Sequence, residues 1–116
     1  MIPRGVEIFV GLDPVDLRWG FERLCGVVAE KLGRQARSRA LFVFFGRQKT
    51  ALKILFFDGT GLCIFYKRLD ARTFRIPEAA IEGDAARMID ERALDDLLEG
   101  IDVEQRPARR ARRSVH

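Results

Sequence analysis

Histidine is almost missing from this chain. The single copy, His116, is the last residue of an arginine-rich stretch. Catalysis by a Ser–His or Cys–His couple needs an imidazole held against its nucleophile, so a hydrolase of that kind is not expected. Cysteine is scarce too. Cys25 and Cys63 lie in apolar surroundings without metal-ligand spacing. They read as small buried residues with reduced thiols, and with His116 they do not make a zinc site. No glycine-rich phosphate loop ending in Lys-Ser/Thr occurs. No apolar run approaches the roughly 20 residues that cross a bilayer. Met1–Glu7 also lacks the apolar core of a secretion signal, so a cytoplasmic protein without membrane contact is expected. A metal-dependent nuclease would need converging carboxylates. Of the candidates Asp13, Asp16, Asp58 and Asp70, the first two are accounted for by helix capping and Asp58 by a turn. No catalytic residue, metal or cofactor is therefore expected.

A second absence is local. Between Glu30 and Asp58 there is no acidic residue, while Lys31, Arg34, Arg37, Arg39, Arg47, Lys49 and Lys53 are all basic. The net charge of +4 conceals this layout. Residues 1–76 carry +7, residues 77–105 carry −8, and residues 106–116 carry +5. A cationic run of this kind is a phosphate-facing surface, a solvated face, or a complement to the acidic segment that follows.

What is abundant is apolar strand. Leu41–Leu69 contains three short runs, Leu41–Phe45, Leu52–Phe57 and Leu62–Tyr66, separated by Gly46-Arg47-Gln48-Lys49 and Asp58-Gly59-Thr60-Gly61. Asp-Gly between apolar runs marks a hairpin, because the tight turn needs positive φ. The pattern predicts a three-stranded antiparallel meander. Leu41, Val43 and Phe45 would face one side and Phe42 and Phe44 the other, so both faces are apolar. An antiparallel sheet with a wet face alternates apolar and polar residues. This sheet needs cover on both sides: the chain's own helices on one, a further element or a second copy of the protein on the other.

Around the meander, Val6–Val10 reads as a short strand. Asp13 suits a helix N-cap, Pro14 the first helical position and Asp16 the helix dipole. Leu17, Phe21, Leu24, Val28 and Leu32 form a helical stripe, predicting a long helix from about Pro14 to Leu32 that ends at Gly33. Trp19 lies off the stripe, under a loop or at a partner surface. Arg72–Ile76 alternates like a fourth strand ended by Pro77. Residues 78–84 read as a loop and Ala85–Ile89 as a short edge strand. Asp90 opens a last short helix with Leu94, Leu97 and Leu98 inward and Glu91, Asp95, Asp96 and Glu99 outward. The fold expected is α+β: one domain over residues 1–103, with a twisted antiparallel sheet of four to six strands, one long helix in the N-terminal half and a short C-terminal helix. Residues 104–116 have little to bury and read as a disordered arginine-rich tail.

The binding features point to phosphates. Arg47 and Lys49 stand at a hairpin tip, Lys53, Lys67 and Arg68 interrupt apolar strands, and Arg34, Arg37 and Arg39 lead into the meander. Arginine tails such as Arg109, Arg110, Arg112 and Arg113 bind phosphates without reading sequence, or here equally dock on the acidic last helix of a neighbouring copy. Phe65 and Tyr66 adjoin strand cations, an arrangement used to hold single-stranded nucleic acid, although strand phenylalanines are more often core.

Several stretches together resemble one family: Met1-Ile2-Pro3 with Gly5-Val6, Pro14–Phe21, Leu41–Phe44 with Gly46-Arg47, Leu52–Leu69, and Leu97–Asp102. In this order they are similar to the small accessory protein of IS66-type insertion sequences, the product of their second open reading frame, often called TnpB. The Lys53–Leu69 block, with its Leu-Lys-Ile-Leu start and Tyr-Lys-Arg-Leu finish, is the most specific part. Family members often carry tryptophans where this chain has Phe56, Phe57 and Phe65, and an Arg-rich Gly-Asp loop where it has Gln48-Lys49-Thr50. The resemblance implies a non-catalytic protein that assists DNA transposition beside a separately encoded transposase, and it carries over no catalytic residues. Two modes of action remain open. The protein binds DNA through Arg34, Arg37, Arg39, Arg47, Lys49, Lys53, Lys67, Arg68 and the tail arginines, or it docks the transposase through Trp19, Phe57 and Phe65. A homodimer is expected from the doubly apolar sheet.

Overall fold

The computed structural model describes residues 5–102. The proposed tail, with Arg109, Arg110, Arg112 and Arg113, lies outside them. In chain order the elements are β1 (Glu7–Gly11), α1 (Phe21–Glu30), β2 (Ala40–Phe45), β3 (Ala51–Phe57), β4 (Leu62–Arg68), β5 (Ala86–Ile89) and α2 (Glu91–Leu98). The five strands form one sheet in the order β4-β3-β2-β1-β5. The meander is present, with Val43 opposite Ile54 and Ile54 opposite Phe65. The sheet is mixed rather than purely antiparallel, because β1 runs parallel to β2 through a crossover that contains α1. A parallel pair demands such a crossover, and residues 12–39 supply it.

The central strands are dry on both faces, and the chain covers them itself. Phe9, Phe42, Phe44 and Leu55 pack with Leu24 and Val28 of α1 on one side. Ile8, Val10, Leu41, Val43, Phe45, Leu52 and Ile54 pack with Phe74, Leu94 and Leu97 on the other. The further element expected over the second face is therefore α2 together with the segment around Phe74. The doubly apolar sheet does not by itself call for a second copy.

The long helix is corrected to ten residues. Residues 14–20 do not join it, since their backbone groups have other partners. The Val15 amide donates to the Phe45 carbonyl at 2.8 Å. The Asp16 carboxylate accepts from the Arg18 amide at 2.9 Å, and the Trp19 amide closes a turn onto the Asp16 carbonyl. A short carboxylate that captures a nearby backbone N–H competes with helix formation. Asp16 therefore acts as a turn former rather than a dipole complement, and Asp13 caps nothing in α1, whose N-cap is Gly20.

The predicted strand at Arg72–Ile76 is also absent. The Phe74 amide donates to the Lys49 carbonyl at 2.7 Å, at the tip of the β2–β3 hairpin, instead of entering a ladder. Phe74 is buried, with its ring 5.9 Å from that of Phe45. The short edge strand β5 does form, antiparallel to β1. Asp90 caps α2 by accepting from the Ala93 amide at 2.8 Å, and Gly100 turns the chain behind it with φ of 79°. Asp96, expected on the wet face of α2, is buried. Among the described residues no helix is long and apolar enough to cross a membrane.

The Asp58 turn is held by its own side chain. The carboxylate accepts from the Thr60 and Gly61 amides at 2.8 and 2.9 Å and from the Thr60 hydroxyl. These bonds stabilise the charged form and lower the Asp58 pKa from 3.8 to about 2. A carboxyl whose folded pKa is depressed stabilises the fold above its unfolded value and loses that contribution as pH falls through the folded one. Urea midpoints should therefore decline between about pH 4 and pH 2. Asp58→Asn should flatten part of that decline while leaving the part due to Asp16, whose pKa is also lowered to about 2. An unchanged acid profile in the variant would refute the assignment.

Candidate nucleic-acid interface

Covering both sheet faces leaves the cations nowhere to go but strand ends, turns and rims. The seven between Glu30 and Asp58 do not form one surface. Arg34, Arg37 and Arg39 precede β2, while Arg47 and Lys49 follow it. The strand between, six residues at roughly 3.3 Å each, sets the groups about 20 Å apart. Arg34 lies over the Phe9 ring at 4.0 Å and serves as a lid on the α1-side core. Arg37 and Arg39 are exposed.

At the other end a cleft of about 830 Å³ opens between the irregular 14–19 segment and the β2–β3 hairpin. Arg18 stands on one wall, Arg47 and Lys49 on the other, and Tyr66 and Arg68 on the floor. Asp16 is the one carboxylate among the lining residues, so four cations against it leave +3. Each part has a local cause. The hairpin is pinned from behind, where the Leu69 amide donates to the Thr50 carbonyl at 2.9 Å and Phe74 to Lys49. Lys49 takes φ of 62°, a left-handed conformation that costs a non-glycine residue about 1 kcal/mol. Gly46 lets the opposite wall close in, since a Cβ there would meet Leu17 Cδ1 at 2.9 Å. Asp16 orients Arg18 through its Nε at 3.0 Å and Nη2 at 2.7 Å. Arg68 Nη2 reaches the Tyr66 hydroxyl at 3.3 Å.

Lys53 is not a free cation of this cleft. Its Nζ donates to the Trp19 carbonyl at 2.9 Å, tying the 14–20 segment to β3. The strand register sets Lys53 beside Phe44 and Tyr66, on the α1 face. Lys67 alternates to the opposite face and is half-buried. Among the residues proposed to meet a partner, Trp19 is half-buried with Arg23 4.7 Å from its ring. Phe65 packs against the α2-side core, and Phe57 is half-buried at the end of β3. Of the DNA-contact residues expected, the cleft thus collects Arg47, Lys49 and Arg68. Sequence reasoning missed Arg18, which a helix would have pointed elsewhere. The only hint was its place in the Pro14–Phe21 block. Among the described residues, no three His, Cys, Asp or Glu side chains come close enough to share a metal ion.

Beside the cleft is a smaller apolar notch of about 140 Å³, lined by Pro14, Val15, Trp19, Val27, Leu32 and Phe44 among others. Trp19 borders both cavities.

Replacing Lys53 with methionine keeps the stem and removes the donor to the Trp19 carbonyl. A hydrogen bond from a charged group contributes about 1.5–3 kcal/mol, so Lys53→Met should lower unfolding stability by that order. It should also speed amide exchange selectively over residues 15–20, read by mass spectrometry. Uniform exchange changes across the sheet would contradict the anchoring role.

No solved structure matches this chain. Uncharacterized protein y4hO of Sinorhizobium fredii is 40% identical to it over 104 residues, covering 88% of each chain. Uncharacterized protein y4jC of the same organism is 28% identical over 110 residues, covering 92% of each. The family described as IS66 Orf2 like protein matches residues 6–108, which take in the whole sheet, both helices and every wall of the cleft. The chain therefore belongs to the IS66 Orf2-like family of insertion-sequence proteins.

Proposed function

We propose that this protein is a non-catalytic accessory to transposition that binds DNA, acting beside a separately encoded transposase. The observation that carries the reading is the convergence of Arg18, Arg47, Lys49 and Arg68 on one cleft against a single carboxylate. Residues distant in sequence are brought together with their charges outward. Arg18 has 91% of its side chain exposed, and Arg47, Lys49 and Arg68 are exposed as well. Four cations with one carboxylate among them leave a net repulsion, and an anionic backbone relieves it. The strained backbone at Lys49 supports the same reading, since local strain at a surface turn gathers at functional positions. Arg37, Arg39 and the tail arginines would add contacts elsewhere on a long polyanion.

The test is fluorescence anisotropy of labelled duplex DNA across a salt series. Log affinity should fall linearly with log salt. Arg47→Gln with Lys49→Asn should weaken binding and reduce the slope by about 2, one per lost phosphate contact. Asn accepts the left-handed conformation, so the hairpin should stay folded. No binding at low salt, or a slope indifferent to these changes, overturns the proposal.

A second reading, docking of the transposase, draws support from the apolar notch beside Trp19. In a pull-down with the element's transposase after nuclease digestion, Trp19→Ala should reduce capture at least several-fold while the Arg47/Lys49 variant retains it. Capture that disappears with the DNA would eliminate this reading.

A further inference from the structure

Tyr66 and Phe21 are the two aromatic residues that stay largely exposed among the described residues, and Tyr66 alone of the two lines the cleft. It lies on the edge strand β4 in the cross-strand row Phe44–Lys53–Tyr66, on the α1 face. Phe44 is buried and Lys53 is engaged by Trp19, so the cover over that row stops short of the edge. Tyr66 keeps 47% of its surface open, on the floor of the cleft. Arg68 donates to its hydroxyl at 3.3 Å.

The shape of the cleft bears on what it takes. The cleft, at about 830 Å³, lies between the 14–19 segment and the β2–β3 hairpin and is open to solvent. Four cations and the aromatic ring line the same cleft. Phosphates along the rims with a base against a ring is the arrangement by which unpaired strands are held: every base has a π-face, whereas a paired base in a duplex is already stacked. Asp16 is the opposing charge. Its ion pair with Arg18 at 2.7 Å spends it on positioning the guanidinium rather than on repelling the ligand.

We infer that the cleft holds an unpaired stretch of DNA, with Tyr66 as the stacking platform and Arg18, Arg47, Lys49 and Arg68 on the sugar-phosphate chain. This rests on the DNA-binding reading above and narrows it to the form of DNA the cleft receives. Binding at this site would favour DNA whose strands have been separated.

Trp19, the only tryptophan in the chain, lines the same cleft and reports on occupancy through its fluorescence. The test measures an oligothymidylate and a blunt duplex of equal length by anisotropy and Trp19 quenching, at one salt concentration, with the full-length protein. The wild type should bind the oligothymidylate at least as tightly as the duplex and show quenching. Tyr66→Ala should lose about tenfold or more for the single strand and little for the duplex, while Tyr66→Phe, which keeps the ring, retains binding. Circular dichroism melts of the two variants check that the exposed position leaves the fold intact. Duplex binding that greatly exceeds single-strand binding, or equal losses on both forms in Tyr66→Ala, overturns this inference and leaves the DNA-binding function standing. Failure to bind either form overturns both. An oligouridylate bound more tightly than the oligothymidylate would overturn the assignment to DNA.

Discussion

The constraint on which the structure depends is that water must be kept from both faces of the central strands. β2 is buried at every residue, and β3 at all but Lys53 and Phe57. A strand dry on both sides forces the chain to spend its remaining elements as cover, α1 above and α2 with the Phe74 segment below. A small domain cannot then also keep charge on its sheet faces, because an unpaired buried ion is expensive. Lysine and arginine are driven to strand ends, turns and the sheet rim. The clustering of cations into two groups at opposite ends of β2 is thus a consequence of core formation before it is anything else.

Lys53 is the exception that shapes the candidate site. A lysine in the middle of an apolar strand needs an acceptor, and the Trp19 carbonyl provides it. That bond, with the Val15 amide on the Phe45 carbonyl, holds residues 14–20 in an irregular path along the sheet end. Had those residues continued α1 toward its N-terminus, the first wall of the cleft would be missing and Arg18 would stand elsewhere. The same contacts that shorten the helix create the concavity. The Asp16–Arg18 pair is exposed and contributes little to stability; its effect is to fix the direction of a guanidinium.

The family assignment and the geometry answer different questions. Membership in the IS66 Orf2-like family connects the chain with insertion sequences, and the two relatives from Sinorhizobium fredii share most of its length without a described role. The tertiary structure adds a cleft that gathers Arg18, Arg47, Lys49 and Arg68.

Sequence alone determined the meander, the Asp58 turn, the α2 cap at Asp90 and the edge strand before it, because each is written in contacts between near neighbours: alternation along a strand, Asp-Gly at a turn, a carboxylate three residues before the amide it caps. It also gave the dry character of both sheet faces. Only the tertiary structure decided the parallel pairing of β1 with β2, the truncation of α1, the loss of a strand at Arg72–Ile76 and the separation of the cationic run into two groups. Those outcomes turn on bonds between distant residues, Val15 to Phe45, Lys53 to Trp19 and Phe74 to Lys49, whose free energies outweigh local propensity. The cleft belongs to this second class. Arg18, Arg47 and Arg68 are strangers in the sequence, and they become neighbours because the sheet had to be covered.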